Sequence, residues 1–143
     1  MTEKSSSTPV KSAIRARVKN ATIQTIFVID DDELFASCIK SAVKKHNQNL
    51  VVKTFKNALD AMNALETPLP SLIFLDVLLP GADGFTFLNE LSSYPDTAKI
   101  PVVLVTSLEL PEADLSIYGI KGILDKATMK PEEVIAYAKR YTN

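Results

Sequence analysis

The sequence predicts an α/β fold built on a parallel sheet. From about residue 25, short β-branched runs alternate with amphipathic stretches, which is the pattern of repeated βαβ units. The predicted strands are almost continuously apolar, as expected where helices cover both faces of a sheet. Right-handed crossovers then place the strands parallel to one another. With 143 residues, 46% of them hydrophobic and 23% charged, the chain fits one globular domain.

Five strands are predicted along the chain. The first is TIFVID at residues 25–30, a run rich in β-branched and aromatic side chains. The others are LVVKTF at 50–55, SLIFLD at 71–76, PVVLVTS at 101–107 and KGILD at 121–125. Each run is short enough for a strand and is separated from the next by polar or turn-forming residues.

The first helix is predicted over residues 32–47. Asp32 is a suitable N-cap, because its carboxylate can accept a hydrogen bond from an amide of the first turn. The helical spacing places six apolar side chains on one face, which we expect to be buried: Leu34, Phe35, Cys38, Ile39, Ala42 and Val43.

Four further helices are predicted. They span residues 58–66, 84–93 and 112–118, and the last one begins at Pro131. Proline suits the first position of a helix because its missing N–H has no intrahelical partner there. Two glutamates in the first turn of this helix and two basic residues in its last turn complement the helix dipole.

Residues 1–22 differ from the rest of the chain in composition. They carry five basic side chains and one acidic one, a net charge of +4, which leaves −5 for the remainder. Many Ser, Lys and Arg residues and few large apolar ones predict a disordered basic N-terminal arm, followed by one domain over residues 23–143. A solvated tail is the simplest interpretation of such an arm, and we predict no nucleic-acid partner.

Membrane and secretion signals are not found in the sequence. No apolar run is long enough to span a bilayer, and no signal-peptide core follows the first basic residue. We therefore expect no membrane partner and a cytoplasmic location. Cys38 is the only cysteine, which excludes an intrachain disulfide and a cysteine metal cluster.

Polar side chains cluster at the carboxyl ends of the predicted strands, where open parallel sheets bind their ligands. These residues are Asp30, Asp31, Asp32, Asp76, Thr106, Ser107, Asp125 and Lys126. Each of them is common at a strand end without any function. Their combination is more informative, because clustered carboxylates repel one another unless a cation compensates. A hard divalent ion such as Mg²⁺ prefers such ligands.

A metal and an ammonium near Asp76 would give this carboxylate a chemical role. Carboxylates act as nucleophiles in aspartyl-phosphate chemistry. Lys126 and the metal would offset charge on the phosphoryl oxygens, and Thr106 would donate a hydrogen bond to one of them. Positioning and electrostatics carry most of phosphoryl transfer, so no separate general base is required.

Four segments together carry a resemblance to a known family. In order they are VIDDDELF, LIFLDVLLPGADGF, PVVLVTS and GIKGILDK. They resemble the receiver domain of two-component response regulators, over about residues 24–142. The resemblance implies a flavodoxin-like (βα)5 fold, a doubly wound parallel sheet of five strands in the order 2-1-3-4-5.

The resemblance also implies roles for individual residues. Asp76 matches the position of the family's phosphoacceptor aspartate. Thr106 matches the residue whose hydroxyl takes part in the conformational switch, and Lys126 matches the lysine that pairs with the phosphoryl group. The implied cofactor is Mg²⁺. Its ligands are implied to be Asp30, Asp31, Asp76 and the backbone carbonyl of Leu78.

Three departures from the family pattern concern the predicted output region. Ile123 stands where an aromatic residue is usual, three residues before the lysine, and Ala127 stands where proline usually follows it. The segment between Thr106 and Lys126 is about two residues shorter than expected. These departures leave open whether phosphorylation switches the conformation in the usual way.

The leading hypothesis is a stand-alone receiver domain, a signalling phosphoacceptor that catalyses only its own phosphorylation and dephosphorylation. It would accept a phosphoryl group from a sensor histidine kinase or a phosphotransfer protein and signal by contact with an unidentified downstream protein. The sequence stops at Asn143 after the last predicted helix, so no output domain is expected. The alternative is a pseudo-receiver, an interaction module that works without phosphorylation. A weak homodimer is left open.

Overall fold

The computed structural model describes residues 23–66, 68–79, 84–107 and 118–143. Five strands lie within these ranges, at the positions that the sequence predicts to within a residue or two. They are β1 (Thr25–Ile29), β2 (Val51–Phe55), β3 (Leu72–Leu75), β4 (Val102–Thr106) and β5 (Gly122–Asp125). The predicted basic arm at residues 1–22 lies outside the described residues.

The strands form one parallel sheet in the order β2-β1-β3-β4-β5, which confirms the predicted α/β class and the 2-1-3-4-5 topology. At its carboxyl end β1 places Ile29 opposite Phe55 of β2 and Leu75 of β3. At the same edge, Thr106 of β4 lies opposite Asp125 of β5. The register therefore brings the residues that follow β1, β3, β4 and β5 together at one edge of the sheet.

Five helices are present in the described part of the chain: α1 (Glu33–His46), α2 (Ala58–Asn63), α3 (Gly84–Ser92), α4 (Pro95–Ala98) and α5 (Pro131–Tyr141). The single-turn α4 was not predicted, and α2 ends three residues before the predicted boundary at residue 66. The helix predicted over residues 112–118 lies outside the described residues, apart from Tyr118.

The N-cap predicted at Asp32 is present, and Asn57 caps the next helix. Asp32 Oδ1 accepts hydrogen bonds from the backbone N–H groups of Leu34 at 3.0 Å and Phe35 at 3.2 Å, which begins α1 at the expected residue. Asn57 Oδ1 accepts the N–H of Asp60 at 2.8 Å at the start of α2. These bonds satisfy amide groups that have no partner within the helix.

The sheet separates two apolar cores. Side chains of β1 alternate between them, so that Val28 lies in the core beneath α1 and α5, whereas Phe27 lies in the core beneath α2 and α3. Phe74 and Ile73 of β3 divide in the same way. Burial on both faces explains why β1, β3 and β4 are apolar without alternation.

One part of the prediction for α1 was wrong. Leu34 is 73% exposed, and Cys38 is also exposed. The buried residues of this helix are Ala36, Ile39, Ala42 and Val43. At about 3.6 residues per turn, Leu34 and Cys38 lie well outside that stripe.

Candidate functional site

Three predicted metal ligands meet at the carboxyl edge of the sheet. Asp30 follows β1 and Asp76 follows β3, two strands that are paired with each other. One carboxylate oxygen from each of Asp30, Asp31 and Asp76 lies within 4.8 Å of the other two. Asp30 is 2% exposed and Asp76 is 5% exposed, whereas Asp31 is open to solvent. The structure thus brings together the three acidic side chains that the resemblance implies as metal ligands, whereas Asp32 caps α1 and Asp125 accepts the N–H of Ala127.

Lys126, which follows the edge strand β5, also reaches this cluster. Its ammonium lies 2.8 Å from Asp30 Oδ2 and 2.9 Å from Asp76 Oδ2, and its side chain is only 13% exposed. The backbone N–H of Lys126 donates to the carbonyl of Thr106 at 3.1 Å, which extends the pairing of β4 with β5 by one step. This pairing directs the lysine to the two buried carboxylates.

Backbone amides fix the other oxygen of each buried carboxylate. The N–H of Asp32 donates to Asp30 Oδ1 at 2.9 Å, and the N–H of Leu78 donates to Asp76 Oδ1 at 3.0 Å. Each aspartate is therefore held at both oxygens, by an amide two residues later and by Lys126. The predicted use of the Leu78 carbonyl as a metal ligand stays a prediction.

The protonation of the site reflects burial and charge. Burial raises the pKa of Asp30 above its ordinary value, although the Lys126 ammonium and the Asp32 amide act in the opposite direction. Burial alone would lower the pKa of Lys126, but its contacts with Asp30 and Asp76 outweigh that effect and raise the pKa. The ammonium is consequently charged at neutral pH.

The donor set suits a hard divalent cation. Asp30 Oδ2 is buried, and no donor among the described residues is aligned for a hydrogen bond with it, although the Lys126 ammonium is close. When ionised, the three carboxylates and the one ammonium leave a net charge of −2. Carboxylate oxygens at this spacing are the ligands that Mg²⁺ prefers. The residues present therefore fit the metal that the resemblance implies.

Thr106 lies beside the cluster at the end of β4. It is 1% exposed, and its carbonyl accepts the backbone N–H of Lys126. The register of β4 with β5 places it next to the strand end that carries the lysine. The predicted function of its hydroxyl group stays a prediction.

The loop after β5 has a hydrogen bond that the usual proline would prevent. Asp125 Oδ1 accepts the N–H of Ala127 at 2.8 Å, which forms a tight turn around Lys126. Proline has no N–H to donate, so this hydrogen bond requires a residue other than proline at this position. Ile123, at the position of the usual aromatic residue, is 39% exposed.

Gly84 supports the loop that follows β3. Its N–H donates to the carbonyl of Val77 at 2.9 Å. A Cβ atom on Gly84 would lie 2.5 Å from the Cα of Val77 and 2.7 Å from the carbonyl oxygen of Asp76. Helix α3 therefore begins in direct backbone contact with the segment that carries Asp76.

Phe35 is the residue of the site that the sequence did not reveal. The sequence placed it only on a buried helix face, yet its ring centroid lies 4.7 Å from the ammonium of Lys126. The two residues are far apart in the sequence, so no local pattern connects them.

Comparison with known proteins identifies the class. A family profile described as "Response regulator receiver domain" matches residues 26–139, and the chain belongs to this family. It is a receiver domain of the two-component type, which is a signalling domain. In the described part of the chain, no helix combines the length and apolarity needed to cross a bilayer.

Individual relatives agree with this assignment. The chain is 34% identical over 115 residues to the response regulator PleD of Caulobacter vibrioides, an alignment that covers 80% of this chain and 24% of PleD. The chain thus spans about a quarter of the length of that relative.

Solved structures share the fold. The BeF3-activated receiver domain of DrrB is 26% identical, with a TM-score of 0.69 and coverage of 84% of this chain and 97% of that one. The Mn²⁺-bound form of response regulator Rcp1 is 22% identical, with a TM-score of 0.67 and coverage of 82% and 90%. At that identity the likeness to Rcp1 shows the fold alone.

Proposed function

We propose that this chain works as a stand-alone receiver domain in which Asp76 accepts a phosphoryl group in a Mg²⁺-dependent reaction. The observation that supports this most directly is the arrangement around Asp76. A buried carboxylate at the edge of the sheet lies 2.9 Å from a mostly buried ammonium and beside two further carboxylates. Such a site combines a nucleophile, a cation for the phosphoryl oxygens and ligands for a divalent metal.

The proposed step transfers the phosphoryl group from a phosphohistidine. A carboxylate oxygen of Asp76 attacks phosphorus, and the P–N bond breaks with its electron pair left on the imidazole nitrogen. The new P–O bond makes an acyl phosphate. Lys126 offsets the negative charge that accumulates on the phosphoryl oxygens, and the Thr106 hydroxyl donates a hydrogen bond to one of them.

The proposed metal ligands are Asp30, Asp31, Asp76 and the carbonyl of Leu78. When bound there, Mg²⁺ supplies a Lewis acid that offsets charge on the phosphoryl oxygens. Rcp1, which shares the fold, is a response regulator with a Mn²⁺-bound form, and this supports a divalent cation in the proposed role. The raised pKa of Asp30 also supports it, because a buried carboxylate that is costly to ionise gains most from a nearby cation.

The partners follow from the proposed chemistry. The donor would be a sensor histidine kinase or a phosphotransfer protein in the cytoplasm, and the signal would pass by contact with a downstream protein. Residues 1–22 would form a basic arm outside the domain at residues 23–143. We expect this arm to take no part in the phosphoryl transfer itself.

Intact mass spectrometry after incubation with Mg²⁺ and acetyl phosphate tests the proposal. We expect one added phosphoryl group on the wild-type chain, none with EDTA, and none on Asp76→Asn, which keeps the size of the side chain. No adduct under conditions that phosphorylate another receiver domain would instead favour the pseudo-receiver, an interaction module that works without phosphorylation.

A further inference from the structure

Phe35 is half-buried but is not part of the apolar cores. Among the described residues, those packed against either core do not include it. Its ring instead faces the ammonium of Lys126, with 4.7 Å between the ring centroid and Nζ. A cation at this distance from a ring face is attracted by the electrons of the ring.

The position of Phe35 is fixed by the same contacts that build the acidic site. The N–H of Phe35 donates to Asp32 Oδ1 at 3.2 Å, and the N–H of Asp32 donates to Asp30 Oδ1 at 2.9 Å. Lys126 contacts Asp30 Oδ2 at 2.8 Å. The four residues form a closed circuit of contacts, in which the ring of Phe35 is held against the lysine.

The ring differs from the other partners of Lys126 in one important respect. Asp30 and Asp76 are both proposed metal ligands, so a divalent cation competes with the ammonium for their oxygens and repels it. The face of Phe35 attracts the ammonium but offers nothing to a hard metal ion. It is therefore the partner that Lys126 keeps when the carboxylates bind a metal.

We propose that Phe35 is a positioning residue for Lys126. Its ring face keeps the ammonium within reach of the phosphoryl group on Asp76 while a divalent cation occupies the carboxylates. This inference rests on the proposed function, because it assigns Phe35 a part in the same phosphoryl transfer.

Four variants distinguish an effect of the aromatic ring on Lys126 from an effect of apolar packing at residue 35. Phe35→Leu and Phe35→Met keep an apolar side chain but remove the ring, and the flexible methionine guards against a variant that fails to fold. Phe35→Tyr keeps the ring. Leu34→Ala is the matched control, because this neighbouring side chain on the same helical turn is 73% exposed.

The first measurement is spectroscopic and needs no phosphorylation. In NMR spectra recorded without and with Mg²⁺, the ring current of Phe35 should shift the ε-methylene protons of Lys126 upfield. We expect this shift in the wild type, Phe35→Tyr and Leu34→Ala, and its loss in Phe35→Leu and Phe35→Met. Loss of the shift on adding Mg²⁺ to the wild type would overturn the proposal.

The second measurement is the rate of phosphorylation by acetyl phosphate at saturating Mg²⁺. We expect Phe35→Leu and Phe35→Met to react about threefold to tenfold more slowly, and Phe35→Tyr and Leu34→Ala to stay within about twofold of the wild type. In a Lys126→Gln background, Phe35→Leu should have no further effect, because the cation is gone.

The possible failures are distinguishable. A wild type that takes no phosphoryl group overturns the proposed function. A wild type that is phosphorylated at the same rate as Phe35→Leu, or a tyrosine variant as slow as the leucine variant, overturns only the inference about Phe35.

Discussion

Burial and charge oppose each other at Asp30. Burial raises its pKa, and the Lys126 ammonium does not fully compensate. The pKa of Asp30 is therefore higher in the folded chain than in the unfolded chain. At pH values between the two pKa values, the folded chain binds more protons than the unfolded chain does. The ionised carboxylate therefore lowers the stability of the metal-free protein at neutral pH, and that loss is recovered as the pH falls through the folded pKa.

Replacing Asp30 by Asn should stabilise the metal-free protein. We expect the free energy of unfolding in EDTA at pH 7 to increase by about 1 kcal/mol, with a smaller stabilisation by added Mg²⁺ than in the wild type. Urea denaturation with and without Mg²⁺ measures both effects. Asp31→Asn is the control: it removes an exposed charge of the same cluster and should change the stability in EDTA very little. A less stable Asp30→Asn protein in EDTA would contradict the argument.

Much of the site was predictable at the level of residues. Asp30, Asp76 and Lys126 each follow an apolar run, and parallel strands that end in such residues must present them at one edge. Phe35 was not predictable as part of the site, because its contact with Lys126 depends on the packing of α1 against a distant loop. The turn between Asp125 and Ala127 was also not predicted, because it depends on the rotamer of the Asp125 side chain.

At the scale of elements, the contact of α3 with the loop after β3 supports the position of Asp76. The loop and the helix meet at Gly84, where the backbone of α3 approaches that of Asp76 and Val77 too closely for a side chain. Glycine is required here for space, since any Cβ would lie inside van der Waals contact. The start of the helix thus acts as a rigid support for the loop that carries the proposed phosphoacceptor.

Gly84→Ala should disturb this support. We expect a loss of about 2 kcal/mol or more in the free energy of unfolding, because backbone atoms rather than flexible side chains must move. We also expect slower phosphorylation by acetyl phosphate. Asn89→Ala, at an exposed position of the same helix, should leave both measurements nearly unchanged. An alanine variant at residue 84 with wild-type stability would show that the loop accommodates the extra atom.

The elements differ in how fully the sequence determined them. All five strands were predictable. Burial on both faces gives β1, β3 and β4 their long apolar runs, and the partly exposed β2 and β5 are short runs between turn-forming residues. The exposure of Leu34 and Cys38 was not predictable from the sequence. A helix at the protein surface buries a narrower stripe than its apolar residues suggest. The single turn α4 has Pro95 at its start but too few residues for a periodic pattern.

At the scale of the whole molecule, the two ends of the described domain meet away from the acidic site. Gln24, just before β1, accepts the backbone N–H of Asn143 and donates to the hydroxyl of Ser71, just before β3. These contacts lie at the amino ends of the strands, whereas the acidic cluster lies at the carboxyl ends. The described domain thus begins, at Ile23, on the edge opposite the proposed phosphoacceptor.

Removal of residues 1–22 should therefore leave the chemistry intact. We expect the truncated chain, beginning at Ile23, to be phosphorylated by acetyl phosphate within about twofold of the full-length rate and to unfold at the same urea concentration. Both proteins are compared at two salt concentrations, because a basic arm near the site would act electrostatically. A large, salt-sensitive fall in rate would place the arm at the acidic site instead.

The hydrogen bond between Asp125 and Ala127 gives the lysine loop a natural reporter. Where a proline follows the lysine, that position has no amide proton to observe. Here the amide of Ala127 is in an exposed turn and bonds to a side chain. Its hydrogen–deuterium exchange reports on opening of that turn alone, before the sheet itself opens. The substitution that removes the usual ring constraint thus makes the motion of the Lys126 loop directly measurable.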